Sequence, residues 1–548
     1  MKPFFYFGRQ NGDVKRIISF ELIATHFLWI GSSAVLSMLS AACNLTMLSM
    51  ISSYISEGSV AHNIKAFIAI LFVGSVSGYY SIIIIDRVAE KIALTIRVRL
   101  YDYIVMAPLS HIESIGGAKI YSMMLNDVMI LYNLIRRMPI LLSSLLTVTG
   151  GVVWLCIKSP EASMWVILFL TVGIAVYLIL SYRLDRYFIS AFSFNDIFIK
   201  KLEDVIKGIK ELKLNNDRVD EFRNKQLFPA GEKCIEANFH TSRLMAMLLQ
   251  WGRLALFLLI VILYSSQPVL GFYNNTYATF VMMIIYLMEP LNQLLSCIVN
   301  MSGVRASLSR ISSIVFLAED SGEIKWERIA SSDKILAEII FSGVIYHHKY
   351  GNEHGFCVGP ISLNFSRGEI VYVIGGNGSG KSTFLKLLSG LYIPEQGSIT
   401  YAGEPVNTSK KRAEYRQNIS AIFQDFHVFD TILHHEQYSD LITTYDSILK
   451  ELGLSDSVNI YDNSFSTTNL SQGQRKRLAL IQSLLENKDI YVFDEWAADQ
   501  EPSFKEYFYY NILPALKERG KIVIVATHDD RFYHTADRII KFDSGMTN

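Results

Sequence analysis

Apolar residues are concentrated in the first 300 or so positions of this chain, where they form six long runs. A helix rises about 1.5 Å per residue, so about 20 apolar residues cross a hydrocarbon layer that is about 30 Å thick. The runs lie near residues 22–48, 66–85, 140–157, 164–182, 245–264 and 277–299. One such run would also suit a buried helix of a large soluble protein, but six in succession predict an all-α transmembrane domain with six spans.

Lys and Arg are unevenly distributed among the segments that connect these runs. The segments 52–65, 158–163 and 265–276 contain two of them in total, whereas 86–138 contains seven and 183–244 contains twelve. Basic residues are in excess in cytoplasmic loops. We therefore expect both chain termini and the two basic segments to lie on the cytoplasmic side of the membrane, with the chain crossing it several times.

The two basic segments are too long for simple loops and contain few Gly or Pro residues. Helical spacing continues through them, as in Leu202, Val205 and Ile209. We expect each to form a helical hairpin that projects from the membrane, with tips near 107–117 and 215–220. Their similar lengths favour contact of the tips with the C-terminal domain over a pair of independent cytoplasmic bundles.

The pattern changes after about residue 320. Residues 319–335 are mostly polar, and from 336 onward short strand-like runs alternate with helical ones, which is typical of an α/β domain with a parallel sheet. The sequence therefore predicts a transmembrane domain over 1–318, a linker over 319–335 and an α/β domain over 336–548.

Composition supports a membrane protein. Hydrophobic residues make up 51% of the 548 positions and charged residues 19%, whereas about 25% is usual for soluble domains. The 51 basic and 51 acidic residues balance, so no nucleic-acid partner is indicated. The five cysteines are scattered without a CxxC pair, and we expect free thiols. No removable signal peptide is recognisable at the N-terminus.

One segment of the α/β domain has a clear chemical signature. Residues 375–382 read GGNGSGKS, which matches GxxxxGK[ST], and they follow a strand-like run and precede a helix-like one. Backbone amides of such a loop hold phosphate oxygens, the lysine reaches the outer phosphates, and the hydroxyl that follows binds Mg²⁺. We predict that ATP and Mg²⁺ bind here, through Gly375, Gly376, Asn377, Gly378, Ser379, Gly380, Lys381, Ser382 and Thr383.

Two further strand-like runs end in residues that suit phosphate chemistry. The run 489–495 ends in Asp494 and Glu495, and the run 521–528 ends in His528. Asp494 is placed to hold Mg²⁺ through a water ligand, Glu495 to polarise the attacking water, and His528 to bond the terminal phosphate. These roles depend on the phosphate loop, because strand ends with acidic residues or a lone histidine are usually structural.

The remaining motifs resemble those of ATP-binding-cassette (ABC) proteins. The block Leu470, Ser471, Gln472, Gly473 and Gln474 resembles the LSGGQ signature, Gln424 resembles the glutamine of the glutamine loop, and WAAD, ending in Asp499, stands at the position of the D-loop. Six spans followed by one such domain resemble an exporter-type half-transporter. The resemblance implies a P-loop nucleotide-binding domain with a helical subdomain, Mg²⁺ held by Ser382 and Gln424, and a homodimer in which the signature of one copy covers ATP on the other.

The sequence departs from the family pattern at three places. Gln472 replaces the third signature residue, a glycine, and the D-loop follows Glu495 without the usual spacer. The aromatic residue expected to stack on adenine has three competitors, Tyr346, His348 and Tyr350, of which strand register favours His348.

A narrower resemblance concerns the cargo. The blocks DEWAADQEP (494–502), GIKELKLN (208–215) and GPISLNF (359–365) resemble the bacterial cyclic-peptide exporter family, which exports lasso-type microcins, pyoverdine precursors and lipopeptide toxins. This implies ATP-driven export of a peptide-type substrate. A lipid flippase, a siderophore importer on an exporter fold and a membrane ATPase sensor without cargo remain alternatives.

Two charged residues lie within the predicted spans. Arg253 is in the fifth span and Glu289 in the sixth, beside Pro290. A charge at the centre of a bilayer costs about 2.5–3.5 kcal/mol on insertion scales, so such residues usually face a cavity or each other. We expect Arg253 and Glu289 to line an inward-open cargo cavity and to lie close enough to pair; the alternative is that they mark the membrane boundary.

Overall fold

The computed structural model describes residues 25–57, 64–181, 184–265, 274–320, 338–350, 353–432, 448–461 and 464–547. These residues form two compact units. One lies within Met1–Val105 and Ile112–Leu317, and the other within Met106–His111 and Ala318–Asn548. Most of the linker predicted at 319–335 lies outside the described residues.

The described part of the first half is helical throughout. Its helices are α1 (Phe27–Glu57), α2 (Ile64–Met106), α3 (Leu109–Ile115), α4 (Gly117–Ser122), α5 (Val128–Arg136), α6 (Met138–Lys158), α7 (Pro160–Ser181), α8 (Leu184–Lys207), α9 (Ile209–Lys213), α10 (Asn216–Phe222), α11 (Phe228–Ser265) and α12 (Asn274–Asp320), with π-helical turns at Met123–Asp127 and Arg223–Leu227.

Five of these helical stretches are long and apolar enough to cross a membrane. They are Phe27–Tyr54, Ile64–Met106, Gly117–Lys158, Asn216–Ser265 and Tyr277–Val315. The fourth predicted span coincides with α7, whose apolar part, Ser163–Ile179, is shorter than the others. The chain is therefore a multi-pass membrane protein with a helical transmembrane domain.

The tips of the two predicted hairpins contain residues that interrupt or begin a helix. The first turn contains Pro108, which directly precedes α3, and Gly116, at φ 84°. The second contains Asn215, whose side chain accepts hydrogen bonds from the amides of Asp217 and Arg218 and so caps α10. Residues Met106–His111, at the first tip, belong to the compact unit of the C-terminal half.

A cluster of charges ties the long helices together inside the membrane-domain unit. The Arg310 guanidinium on α12 donates to Asp127, which is fully buried in the π-turn, and to Asp196 on α8 at 3.2 Å. Ser307 donates to the same Asp127 carboxylate at 3.0 Å. Since a buried charge is tolerated only with partners, the cluster fixes how these three segments pack.

The described C-terminal half alternates strands and helices. The strands are β1 (Ile339–Tyr350), β2 (Glu353–Phe365), β3 (Glu369–Gly375), β4 (Gln396–Tyr401), β5 (Glu404–Pro405), β6 (Ile419–Ile422), β7 (Ile460–Tyr461), β8 (Ser464–Phe465), β9 (Ile490–Asp494), β10 (Ile522–Ala526), β11 (Arg538–Asp543) and β12 (Met546–Thr547). The helices are α13 (Lys381–Leu388), α14 (Ser409–Arg416), α15 (Gln472–Leu485), α16 (Pro502–Tyr507) and α17 (Leu513–Glu518), with a π-helical turn at Phe508–Ile512 and 3₁₀ turns at Trp496–Asp499 and Asp530–Thr535.

A six-stranded sheet, in the order β12-β11-β3-β10-β9-β6, organises this half. All neighbours are parallel except the short β12. Alternate side chains of β10 enter two cores: Val523 and Val525 face the helical layer that includes α15, and Ile522 and Ile524 face α13 and the antiparallel sheet β2-β1-β4-β5. A parallel sheet covered on both faces explains why these strands are apolar at nearly every position.

Candidate active site

The phosphate loop connects the carboxyl end of β3 to the start of α13. Gly375 closes the strand at φ 150°, where a Cβ atom would lie 2.3 Å from the carbonyl oxygen of Phe542, so only glycine is accommodated. Gly380 is the N-cap of α13, and no side chain caps the helix amides. Ser379 Oγ is buried and has no hydrogen-bond partner within the described ranges. Uncapped amides and an unpaired hydroxyl suit a phosphate group.

Lys381, the first residue of α13, is almost fully buried and directs its ammonium group back into the loop. Its Nζ donates to the carbonyl oxygens of Gly375 at 2.9 Å and Gly376 at 3.1 Å, and lies 3.0 Å from His528 Nε2. Burial lowers the pKa of Lys381, and the nearby carboxylates of Glu495 and Asp494 oppose this shift. The ammonium is therefore placed for an anionic ligand that restores its preference for the charged form.

Asp494 ends β9 and faces the first turn of α13. Burial raises the pKa of the Asp494 carboxyl, while a hydrogen bond from Ser382 acts in the opposite direction. Ser382 and Gln424 line the same cavity beside the loop. A hydroxyl, an amide oxygen and a carboxylate are oxygen ligands that suit Mg²⁺, which takes few protein ligands when it also binds phosphates. The residues therefore fit the predicted ion.

Glu495 follows the strand in a left-handed backbone conformation, with φ 52° and ψ 36°. Its amide donates to the carbonyl oxygen of Ala526 at 3.0 Å, which joins it to the end of β10. This places Glu495 Oε1 3.1 Å from His528 Nε2. Non-glycine residues rarely adopt this conformation, and where they do the strain is often associated with function. The structure thus brings Lys381, Glu495 and His528 together at one edge of the sheet.

A cavity of about 530 Å³ lies beside the phosphate loop. It is lined by His348, Phe356, Asn377, Gly378, Ser379, Gly380, Lys381, Ser382, Thr383, Gln424 and Glu495. His348 Nε2 lies 2.9 Å from Thr383 Oγ1, while Tyr346 is buried and stacks on Tyr392. His348 therefore lines the cavity and Tyr346 belongs to the core; the side chain of Tyr350 is outside the described residues.

The signature residues form the start of α15 and do not line this cavity. Ser471 is the N-cap: its hydroxyl accepts from the amide of Gln474, and the Gln474 side chain accepts from the amide of Ser471. Leu470 packs against the helical-layer core. A Cβ on Gly473 would lie 2.9 Å from the carbonyl oxygen of Asp499. The signature and the D-loop are therefore in close contact within one chain.

Family models of known proteins match both halves of this chain. The profile described as ABC transporter matches residues 358–498, and the profile described as ABC transporter transmembrane region matches residues 26–222. The chain is 31% identical over 475 residues to the ATP-binding protein SyrD of Pseudomonas syringae pv. syringae, an alignment that covers 83% of this chain and 82% of SyrD. This chain belongs to the ABC transporter family.

Two further similarities concern the fold and the nucleotide-binding part. A bacterial Atm1-family ABC exporter solved with ATP bound superposes with a TM-score of 0.76, covers 96% of this chain and 95% of its own, and is 14% identical. The nisin transport ATP-binding protein NisT of Lactococcus lactis subsp. lactis is 33% identical over 36% of this chain and 35% of its own length. The ABC transporter described here is thus an exporter-type half-transporter that hydrolyses ATP to drive transport.

Sequence reasoning missed two residues of this ABC site. Phe356 lines the cavity because β1 and β2 pair with His347 opposite Cys357, which brings Phe356 beside His348. Lys476, in the second turn of α15, is buried and donates to the carbonyl oxygen of Glu495. Phe356 could have been found from the pairing of two aromatic-rich strands, but nothing in the run RKRLAL distinguishes Lys476 from its basic neighbours.

Proposed function

We propose that this ABC transporter works as a homodimer that exports a peptide-type substrate, such as a cyclic or lasso peptide or a peptide siderophore precursor, across the bacterial inner membrane. The nucleotide-binding domain and both termini would lie in the cytoplasm, as the excess of Lys and Arg in the segments 86–138 and 183–244 indicates. Export would proceed by alternating access, with ATP binding and hydrolysis changing which side of the membrane the cargo site faces.

In this proposal the residues at the carboxyl edge of the six-stranded sheet bind ATP and catalyse its hydrolysis. The phosphate-loop amides and Lys381 hold the phosphates, and Glu495 polarises the attacking water while His528 bonds the terminal phosphate. Mg²⁺, which supplies charge neutralisation on the phosphates when bound, would be held by Ser382 and Gln424, with Asp494 acting through water. His348 would stack on adenine.

The proposal of a dimer is supported by the position of the signature. Residues Leu470–Gln474 do not line the cavity that surrounds the phosphate loop in the described structure. A second copy would supply its Ser471 and Gly473 to the far side of ATP, with the N-terminus of α15 directed at the phosphate charge. Each ATP would then be bound by two chains.

Exposed charges on membrane helices support a polar cargo path. Arg253 on α11 and Glu289 on α12 are both exposed, and lipid is an unfavourable environment for either. Glu289 accepts a hydrogen bond from Gln293 at 3.0 Å, and Gln293 accepts one from Ser144 on α6 at 2.6 Å. This polar row would contact backbone and charged groups of a peptide.

A direct pairing of the two charges, which the sequence makes sterically plausible, is not present in this conformation. No ion pair joins Arg253 to Glu289 among the described residues, and the carboxylate is engaged by Gln293 on its own helix instead. The amide lies one turn along α12, so it reaches Glu289 without any movement of α11. We therefore propose that the two residues contact cargo separately.

Reconstitution into liposomes would test the proposed cargo. With the nucleotide-binding domain outside, external ATP should drive uptake of a purified lasso-type microcin or lipopeptide and should raise the ATPase rate. Movement of a fluorescent phospholipid instead would identify a flippase, and release of preloaded ferric siderophore would identify an importer. ATP hydrolysis that changes with peptide but moves nothing would indicate a sensor.

A further inference from the structure

Lys476 is buried in the nucleotide-binding domain at a place where no catalytic role requires a lysine. Its exposed fraction is 1%, and its Nζ donates to the carbonyl oxygen of Glu495 at 2.8 Å and to Asp499 Oδ2 at 2.7 Å. A buried ammonium group is unfavourable unless it is paired and hydrogen-bonded, so both contacts matter to this conformation. The Lys476 side chain thereby connects the backbone of Glu495 to Asp499 of the D-loop.

The Glu495 backbone needs such support because its conformation is strained. The amide of Glu495 is held by Ala526, and its carbonyl oxygen accepts from Lys476 and from the amide of Ala498 at 3.2 Å. These three hydrogen bonds fix the backbone conformation of Glu495 and therefore the direction of its side chain. If the ammonium group were removed, rotation out of the left-handed region would carry the carboxylate away from His528.

The D-loop is attached to the same helix by further contacts. Gln472 donates to Asp499 Oδ2 at 3.0 Å, and Gln500 donates to the carbonyl oxygen of Gly473 at 3.1 Å. The Trp496 indole donates to the carbonyl oxygen of Lys476 at 2.8 Å. Gln472 and Lys476 are one helical turn apart and meet at one carboxylate oxygen. The sequence departs from the family pattern both at Gln472 and at the start of the D-loop. The hydrogen bond between Gln472 and Asp499 joins these two places.

We propose that Lys476 is a positioning residue for ATP hydrolysis: it holds Glu495 in the conformation that directs its carboxylate to the attacking water. The inference rests on the proposed role of Glu495, and it requires neither a particular cargo nor a particular partner. It concerns the rate of the chemical step, because Lys476 lies outside the set of residues that line the nucleotide cavity.

The test compares Lys476→Met with Lys521→Met in the full-length protein in nanodiscs. Lys521 is also buried and paired, with Asp489 at 3.4 Å, but it precedes β10 at the opposite end of the sheet. We expect Lys476→Met to lower kcat about 10- to 100-fold, as small displacements of catalytic groups do, with KM for ATP and affinity for a fluorescent ATP analogue within about twofold. Lys521→Met should retain the wild-type kcat.

Two added measurements separate positioning from other roles. Hydrogen–deuterium exchange of the peptide 494–500 should accelerate in Lys476→Met. The double variant Lys476→Met/Asp499→Asn should keep the low kcat, because the Glu495 carbonyl oxygen still lacks the ammonium donor and retains only the amide of Ala498. Recovery of kcat in the double variant would show that Lys476 only neutralises Asp499, and loss of nucleotide binding would show that it supports the fold; either overturns the proposal.

Glu495→Gln, measured alongside, distinguishes failure of this inference from failure of the proposed function. If Glu495→Gln is inactive while Lys476→Met hydrolyses ATP like the wild type, the positioning role alone is wrong. If Glu495→Gln is fully active, the assignment of Glu495 fails and the role of Lys476 fails with it.

Discussion

The two halves of this chain hold the charged residues of the proposed sites in different settings. In the nucleotide-binding half, Lys381 and Asp494 are buried, and their partners are supplied by the same compact unit. In the membrane half, Arg253 and Glu289 are exposed on apolar helices. The buried charges of the nucleotide-binding half are therefore compensated by neighbouring groups of the same chain. The exposed charges of the membrane half need water, cargo or a second copy of the chain to compensate them.

The difference has a consequence for mutations. Buried, connected groups at a preorganised site act on a chemical step, so their loss should produce large changes in rate. Exposed groups on a transport path act on recognition and can be replaced in part by water, so their loss should produce smaller effects. The following predictions test this contrast from the largest expected effect to the smallest.

Glu495→Gln should lower ATP hydrolysis about 10²- to 10⁴-fold, the contribution usual for a general base. ATP binding should persist, since the phosphate loop and Lys381 are intact, and the variant should accumulate as an ATP-loaded dimer. Steady-state phosphate release and equilibrium binding of ATP check the two parts. Wild-type hydrolysis in this variant would contradict the assignment of Glu495.

Sharing of ATP between chains can be tested by mixing two inactive variants. Lys381→Ala should weaken ATP binding, and Ser471→Arg should block the signature surface. A heterodimer of the two has one site with both changes and one intact site, so co-expression with different affinity tags should recover part of the ATPase rate. Activity that does not depend on which chains are paired would refute shared sites.

ATP affinity should begin to fall at a lower pH than it would if the phosphates were bound by an exposed lysine. Burial lowers the pKa of Lys381 in the empty site, so its ammonium group loses a proton at a lower pH than an exposed lysine does. Phosphate binding requires the charged form, and binding therefore weakens as that form is depleted. Calorimetric titration of Glu495→Gln with ATP from pH 7 to pH 9.5 measures this; constant affinity over that range would argue against it.

Neutralising the membrane charges should have the smallest effect. Arg253→Gln and Glu289→Gln should each change peptide-stimulated ATPase a few-fold and leave the basal rate nearly unchanged, because a glutamine at 289 keeps a hydrogen-bond partner in Gln293. Lys158→Gln and Glu161→Gln, in the turn predicted to face outward, are matched controls. If all four variants transport like the wild type, Arg253 and Glu289 mark the membrane boundary.

The charge swap Arg253→Glu with Glu289→Arg sharpens the last prediction. Separate contacts with cargo predict that the double variant is no better than the single ones. Recovery of stimulated activity in the swap would show that the two residues pair in another conformation of the transport cycle, since they do not pair in this one.

Much of this molecule follows from its sequence because the relevant signals are local. Six apolar runs of membrane length, the glycines of the phosphate loop, and Asp494 and Glu495 at the end of a buried strand all depend on short stretches of chain. The carboxyl ends of parallel strands lie at the same edge of the sheet, so residues that follow these strands lie close together. That is why Lys381, Glu495 and His528 could be assigned to one site before their distances were known.

Other features depend on contacts between distant positions, and only the tertiary structure decided them. Lys476 stands in a basic run typical of an exposed helix face, and it is buried only because α15 packs against the 3₁₀ turn Trp496–Asp499. Tyr346 and His348 are separated by a single residue, but strand pairing sends one into the core and the other to the cavity. The hydrogen bond from Gln293 to Glu289 likewise became visible only in the structure. Helix spacing limits which residues are near, and the packing of whole elements determines which of them is bonded.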